Sequence, residues 1–198
     1  MKILFVSDYV CPFCIVAKEA LKQAMKELGI TADITWQPYE LTEEPKEQID
    51  TYHDTKRAEH YKKLFAPAAA LGLDTKFPPH VVPRPYTRLA FEGYYYAKDQ
   101  GRGDEYNDLV YRAYFIDERN IGDMDVLCDL AVKAGLNAAG YRTALEQGTY
   151  SAVEKEAVRY SKDTLCVKQV PTVYIDDEML DIQEYTKEEF VKFLSQRG

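Results

Sequence analysis

Cysteine, histidine and tryptophan are scarce in this chain, with four, three and one among 198 residues. Four cysteines cannot form a disulfide framework at this length, and a core of this size needs no staples. No apolar run approaches the roughly 20 residues needed to cross a bilayer. The N-terminal run is also shorter than the apolar stretch of about 7–15 residues that a secretory signal requires, and no small-residue cleavage site follows it. A cytoplasmic address is the expectation. Positive charge is the minority sign, 25 Lys and Arg against 33 Asp and Glu, net −8. That balance repels phosphate backbones and anionic lipid, so neither nucleic acid nor membrane is an expected partner. What is present is ordinary globular material, 46% hydrophobic and 29% charged, which excludes a mainly disordered chain. Tyrosine is the one excess, at 16 residues. The run Tyr94-Tyr95-Tyr96 with Tyr106, Tyr111 and Tyr114 suits helix packing better than the lining of a groove.

Organisation follows from periodicity. Residues 2–7 form a short, continuously apolar run, the pattern of a strand buried on both faces. From Pro12 the spacing turns helical through Ala17, Leu21, Ala24 and Leu28, and Gly29 stops it. Ile30 to Leu41 alternates as a second strand, which completes a β-α-β unit. From His53 to Gly148 the patterns are helical only. Helices are predicted over 55–71, 86–100, 105–119, from Asp123 to Gly135, and from Asn137 to Gly148. Prolines between Phe77 and Pro85 exclude helix there. A further helix is predicted over 151–165, then a strand at Thr172–Ile175, a turn at Asp176–Glu178 and a returning strand at Met179–Ile182. Thr186 caps a closing helix, and Glu189 three residues on completes a capping box.

Cys11-Pro12-Phe13-Cys14 sits where the first strand turns into the first helix. A thiol attacks as thiolate, and a helix N-terminus favours the anion through its partial positive charge and unpaired N–H groups. Pro12 suits the first helical position. Cys14 lies one turn on, so the two sulfurs can meet. Cys11 is expected at the mouth as the attacking thiol and Cys14 deeper as the resolving one. This arrangement points to thiol–disulfide chemistry. A zinc half-site is the alternative use of such a pair. It needs two more ligands at regular spacing. Cys128 and Cys166 stand alone, and His53, His60 and His80 suit solvated faces or loops, so no metal is expected. Both isolated cysteines are expected to be spectators, Cys128 on an apolar helix face and Cys166 as a small packed residue at a helix–loop junction.

Beyond the cysteine pair, Ser7 to Cys14, the long helical insertion, the segment Tyr114 to Asp123 leading into Val126-Leu127, and Val170-Pro171-Thr172 together resemble the DsbA thioredoxin-like family, and within it the FrnE-like dithiol oxidoreductases. The likeness spans essentially the whole chain. It implies an α/β thioredoxin fold with a large all-helical insertion: a discontinuous thioredoxin-like domain at 1–52 and 149–198, and the insertion at 53–148. It also implies a cis proline, Pro171, facing the cysteines. Carried over by position, Cys11 and Cys14 are the catalytic pair, while Pro12, Phe13, Val170 and Pro171 contact substrate. The redox-active disulfide is the only expected cofactor. Expected partners are proteins with thiols or disulfides, with glutathione a candidate reductant. Phe13 stands where many members have histidine, which removes a ring able to carry charge beside the thiolate and argues for a less oxidising couple. The sister group of 2-hydroxychromene-2-carboxylate isomerases and kappa-class glutathione transferases shares the architecture but generally has serine at the position of Cys11. A glutathione-dependent isomerase or transferase is therefore the alternative, followed by a peptide-binding, chaperone-like module. Relatives of the fold often have glycine at the position of Cys166.

Overall fold

Burial on both faces makes residues 2–7 the centre of the sheet. The structure, a computed structural model, describes residues 1–197. In it β1 (Lys2–Ser7) pairs in parallel with β2 (Asp33–Pro38) and antiparallel with β3 (Thr172–Ile175), which in turn pairs antiparallel with the two-residue β4 (Glu178–Met179). The order is β2-β1-β3-β4. Phe5 lies opposite Trp36 on one side and Val173 on the other, and all three are buried. β2 is shorter than the alternation over 30–41 predicts. The returning strand also begins one residue early. Asp176 and Asp177 both take positive φ, 47° and 69°, and a two-residue turn of that hand suits a tight hairpin. It sets Ile175 opposite Glu178.

Helix α1 (Pro12–Leu28) begins on its proline and ends at Gly29, whose φ of 65° lets Ile30 N–H reach back to the Met25 carbonyl at 2.9 Å. Its apolar stripe, Ala17, Ala20, Leu21 and Ala24, is fully buried. On that stripe packs α9 (Lys187–Ser195), capped by the Thr186 hydroxyl, which accepts from Glu189 N–H. The Glu189 carboxylate reaches further back than a simple capping box. It accepts from the backbone N–H of Gln183, Glu184 and Tyr185, and so ties down the loop entering the helix.

Between β2 and β3 the chain is helical. The helix expected over 55–71 is instead three pieces: α2 (Thr55–Tyr61), a 3₁₀ turn (Lys62–Leu64) and α3 (Phe65–Ala70). Pro67 is the reason. It has no N–H to offer the preceding turn, and proline is tolerated only in the first turn of a helix, so a new helix starts two residues before it. The remaining insertion helices are α4 (Arg88–Asp99), α5 (Gly103–Phe115), α6 (Met124–Lys133) and α7 (Ala138–Glu146). Asp123 and Asn137 cap the last two through their side chains. Tyr94, Tyr106, Tyr111 and Tyr114 are core residues, with the Tyr106 and Tyr141 hydroxyls 2.6 Å apart. At Gly93 on α4 a Cβ would overlap both hydroxyls, which is why glycine stands there. Helix α8 (Ser151–Arg159) continues as one π turn, Tyr160–Thr164, and leads back towards β3.

The insertion is bolted to the sheet and to α1 by polar contacts. Trp36 Nε1–H donates to Asp104 at 2.6 Å. Lys18, buried on α1, donates to Asp108 of α5 at 2.5 Å, and Lys22 binds the other carboxylate oxygen.

Candidate active site

Where β1 ends, the chain turns through Asp8, Tyr9 and Val10 into Cys11, the N-cap of α1. Cys11 N–H closes that turn on the Asp8 carbonyl at 3.0 Å, and Cys14 N–H bonds the Cys11 carbonyl at 3.0 Å. The cap position has no side-chain oxygen, and with Pro12 lacking an N–H and Cys14 N–H spent on Cys11, it is the Phe13 N–H and the helix dipole that favour an anion there. Cys11 and Cys14 are free thiols whose side chains lie within hydrogen-bonding range of each other. Cys11 is less exposed than expected for an attacking group at the mouth of a site. It is 4% accessible and Cys14 is 0%, because the proline loop covers the pair. The Cys11 thiol donates to the Val170 carbonyl at 3.4 Å across 159 residues of sequence. The Val170–Pro171 peptide is cis. Pro12 and Pro171 are buried, and Val170 and Phe13 are half-buried.

Cys14 is the harder thiol to ionise. Burial pushes it well above the ordinary thiol value; the Cys11 thiol and the Asp8 charge add to the rise, and a backbone hydrogen bond at Asp8 opposes it. Asp8 itself is fully buried and raised by that burial, although Leu41 N–H at 2.7 Å, the Arg84 charge and the Thr87 hydroxyl favour its anion. A carboxyl lifted in this way beside a buried thiol suits proton exchange. Sequence reasoning missed Asp8. Its only signal was an acidic residue three positions before Cys11, in a turn where polar residues are common anyway.

The other missed contacts come from the insertion and from the α9 entry loop. Phe13 packs against His60 at 5.4 Å, Tyr61 at 6.2 Å and Tyr185 at 5.4 Å, and the Lys63 ammonium lies over its ring at 4.8 Å. A histidine thus packs on the ring between the two cysteines, exposed and arriving from α2. His53 and His80 are exposed too, His80 stacked on Tyr52. Beside Pro171 opens a cavity of about 350 Å³ lined by Lys63, Gln169, Thr172, Asp181, Gln183 and Tyr185 among others.

The isolated cysteines divide. Cys128 is buried, with its thiol raised by that burial. Cys166 is exposed, not packed as expected. Its φ of 53° places it in the left-handed region, and its thiol donates to the Asp163 carbonyl at 3.4 Å. The demand at this position is one of backbone, which glycine meets without strain. Among the described residues no group of histidines, cysteines and carboxylates is placed to hold a metal ion, and no helix is long and apolar enough to cross a membrane.

Comparison with known proteins decides the family. The DSBA-like thioredoxin domain matches residues 2–187. The chain belongs to that family. A Bacillus subtilis (strain 168) member, described as uncharacterized protein YwbO, is 40% identical over 175 residues, covering 88% of this chain and 86% of its own. A probable DsbA oxidoreductase of Streptomyces coelicolor is similar in structure, with a TM-score of 0.81 at 25% identity over 99% of this chain and 89% of that one. A 2-hydroxychromene-2-carboxylate isomerase shares the fold, with a TM-score of 0.77 at 18% identity over 99% and 94%. The family's fold is the thioredoxin-like α/β sheet with inserted helices, and its general activity is disulfide oxidoreduction.

Proposed function

We propose that this DSBA-like chain is a thiol–disulfide oxidoreductase that works through Cys11 and Cys14, with a cytoplasmic address and FrnE-like in kind. The observation that carries the reading is the meeting of three groups from two distant stretches of sequence: the N-cap thiol of α1, the buried thiol one turn on, and the Val170 carbonyl against which Cys11 rests. In the reducing direction the Cys11 thiolate attacks a substrate disulfide and one thiolate leaves. Cys14 then gives its proton to Asp8 and attacks the Cys11 sulfur, which releases the second thiolate and leaves a Cys11–Cys14 disulfide. One substrate disulfide is reduced as one protein dithiol is oxidised; the reverse sequence oxidises a substrate dithiol. An extended substrate would lie along Val170–Pro171, where its backbone can pair beside β3.

The test compares two variants. Cys11→Ser should abolish reduction of an insulin disulfide, while Cys14→Ser should retain the first attack and accumulate mixed disulfides visible by non-reducing mass analysis. Turnover retained in Cys11→Ser, or equal alkylation rates of the two thiols at pH 6, would overturn the assignment.

The cavity beside Pro171 favours a second, compatible reading. Its size suits a small ligand, and Lys63 offers a cation where a carboxylate-bearing thiol such as glutathione would lie. Glutathione as reductant then needs both cysteines. Glutathione-dependent isomerisation or transfer would survive Cys14→Ser, and that variant separates the two.

A further inference from the structure

Away from the thiols, three carboxyl groups from three separate elements converge inside the protein. Glu40 follows β2, Glu92 lies on α4 and Glu154 on α8. Glu92 and Glu154 are 0% accessible and Glu40 is 7%. Glu154 has no hydrogen-bond donor on either oxygen, and one oxygen each of Glu40 and Glu92 lacks one as well. Ionised carboxylates only accept, so a contact between two of them requires a proton. Glu40 and Glu154 lie within hydrogen-bonding range of each other.

The surrounding charges do not neutralise the group. Arg88, the nearest guanidinium, is divided between Glu92 at 2.7 Å and Glu44 at 3.2 Å. Lys162 faces Glu40 but spends its ammonium on Glu43 at 2.6 Å and the Glu40 carbonyl at 3.0 Å. Lys155 faces Glu92. On the negative side Asp8 and Glu43 face Glu40, and the Tyr95 phenol lies close to Glu154. Three acceptors meet there, and among the described residues the cations that face them, Arg88, Lys162 and Lys155, are engaged elsewhere or stand at the rim.

We infer that Glu40, Glu92 and Glu154 form a proton-binding site that clamps α8 and α4 onto the end of β2. The folded protein keeps at least one proton there which the unfolded chain releases at ordinary carboxyl acidity. Burial, with the Glu40 and Glu92 charges, carries Glu154 up to about 8; burial with Asp8 and Glu43 carries Glu40 up to about 7. Above that range the proton leaves, like charges face each other in the interface, and the clamp loosens. The segment it would release runs into Leu41, whose N–H holds Asp8 at 2.7 Å. A clamp at this place therefore links mildly alkaline pH to the turn that carries the cysteine pair. The clamp draws on the burial and contact of the three carboxyls, not on the cysteines, and stands whether or not the thiol assignment does.

The sign is definite. Carboxyls raised on folding make the folded state bind more protons than the unfolded one, so their contribution to stability is fully present below about pH 4.5, falls as pH rises towards 8, and then levels. One extra bound proton over three pH units weakens the folding equilibrium about a thousandfold. Urea unfolding of the whole protein from pH 5 to 9 should show that fall. Glu154→Gln should remove most of it and be the more stable protein at pH 8. Hydrogen exchange corrected for intrinsic rate should show 39–41 and α8 losing protection between pH 6.5 and 8.5 in the parent but not in the variant. Equal pH slopes, a variant less stable at pH 8, or restoration of parent stability at pH 8 by sodium or calcium at constant ionic strength would each overturn the inference. Should Glu154→Gln not fold, infrared spectra of the parent decide it, because a protonated carboxyl band that persists at pH 7 and disappears by pH 9 is required.

Discussion

Replacing Asp8 by asparagine tests the proton step of the proposed mechanism. At pH 7 a thiol of ordinary acidity is only about 3% thiolate, and each unit of upward shift removes another factor of ten. Cys14 lies well above the ordinary value, through burial first, so resolution of a mixed disulfide needs a local proton acceptor. A well-placed general base contributes about 10²–10⁴-fold. Asparagine keeps an oxygen for Leu41 N–H at 2.7 Å but cannot take a proton. Resolution in Asp8→Asn should therefore slow about a hundredfold at pH 7, with alkylation of Cys11 little changed.

Stability should move the other way. Asp8 is raised on folding, so it adds to the parent's loss of stability as pH climbs above the ordinary carboxyl value, and the neutral variant lacks that share. A variant that is slower yet no less stable at neutral pH separates a proton-transfer role from a structural one. The assay is stopped-flow release of a fluorescent thiol from a preformed mixed disulfide, read from pH 6 to 9. In the variant the rate should climb close to tenfold per pH unit, more steeply than in the parent. An unchanged rate and profile, with the fold intact, would refute the reasoning.

Two further outcomes follow from other contacts. Burial would raise Asp108, but the charges and hydrogen bonds of Lys18 and Lys22 outweigh it and hold the carboxyl below its ordinary value. Asp108→Ala strands the Lys18 ammonium, whose side chain is 6% accessible, and should cost about 2 kcal/mol in urea unfolding at pH 7, less than a fully buried pair because Asp108 is partly exposed; the cost should shrink below pH 3.8 as the parent carboxyl protonates. With an uncharged ring at Phe13, the reduction potential should fall between the thioredoxin and DsbA limits of roughly −270 and −120 mV, nearer the former; equilibration against glutathione measures it, and a value near −120 mV would show that the Phe13 surroundings stabilise the reduced pair in another way.

Local rules made much of the molecule legible. The buried central strand, the glycine stop after α1, the aspartate and asparagine caps of α6 and α7, and the threonine cap of α9 depend on side chains within a few residues of one another, and all were expected from sequence. Errors arose where one residue reset its neighbours. Pro67 broke a helix that periodicity alone would continue, and two aspartates at positive φ moved β4 by one residue. Cys166 shows the limit of residue-type reasoning. Its thiol suggested burial, while the chain wanted a left-handed backbone there and left the sulfur in solvent.

The site was legible only along β1 and α1. Cys11, Pro12, Phe13 and Cys14 are consecutive, so a motif can hold them, and Pro171 came from family likeness. Asp8, Lys63, His60 and Tyr185 carry no motif. Asp8 shares the turn with Cys11 but is held by Leu41, Arg84 and Thr87 from elsewhere in the chain, and the other three pack on Phe13 from elements whose own sequence obeys only helix or loop rules. The carboxyl clamp is the extreme case, since Glu40, Glu92 and Glu154 each look like a solvated acidic residue in their own segment. Only the packing of α8 against α4 and the end of β2 removes their water. Any such interface favours neutral side chains, so carboxyls placed there must keep a proton or force the helices apart. That constraint acts across more than a hundred residues of sequence, and it reaches the turn that carries the thiols through Asp8, which the Leu41 N–H holds and whose charge faces Glu40.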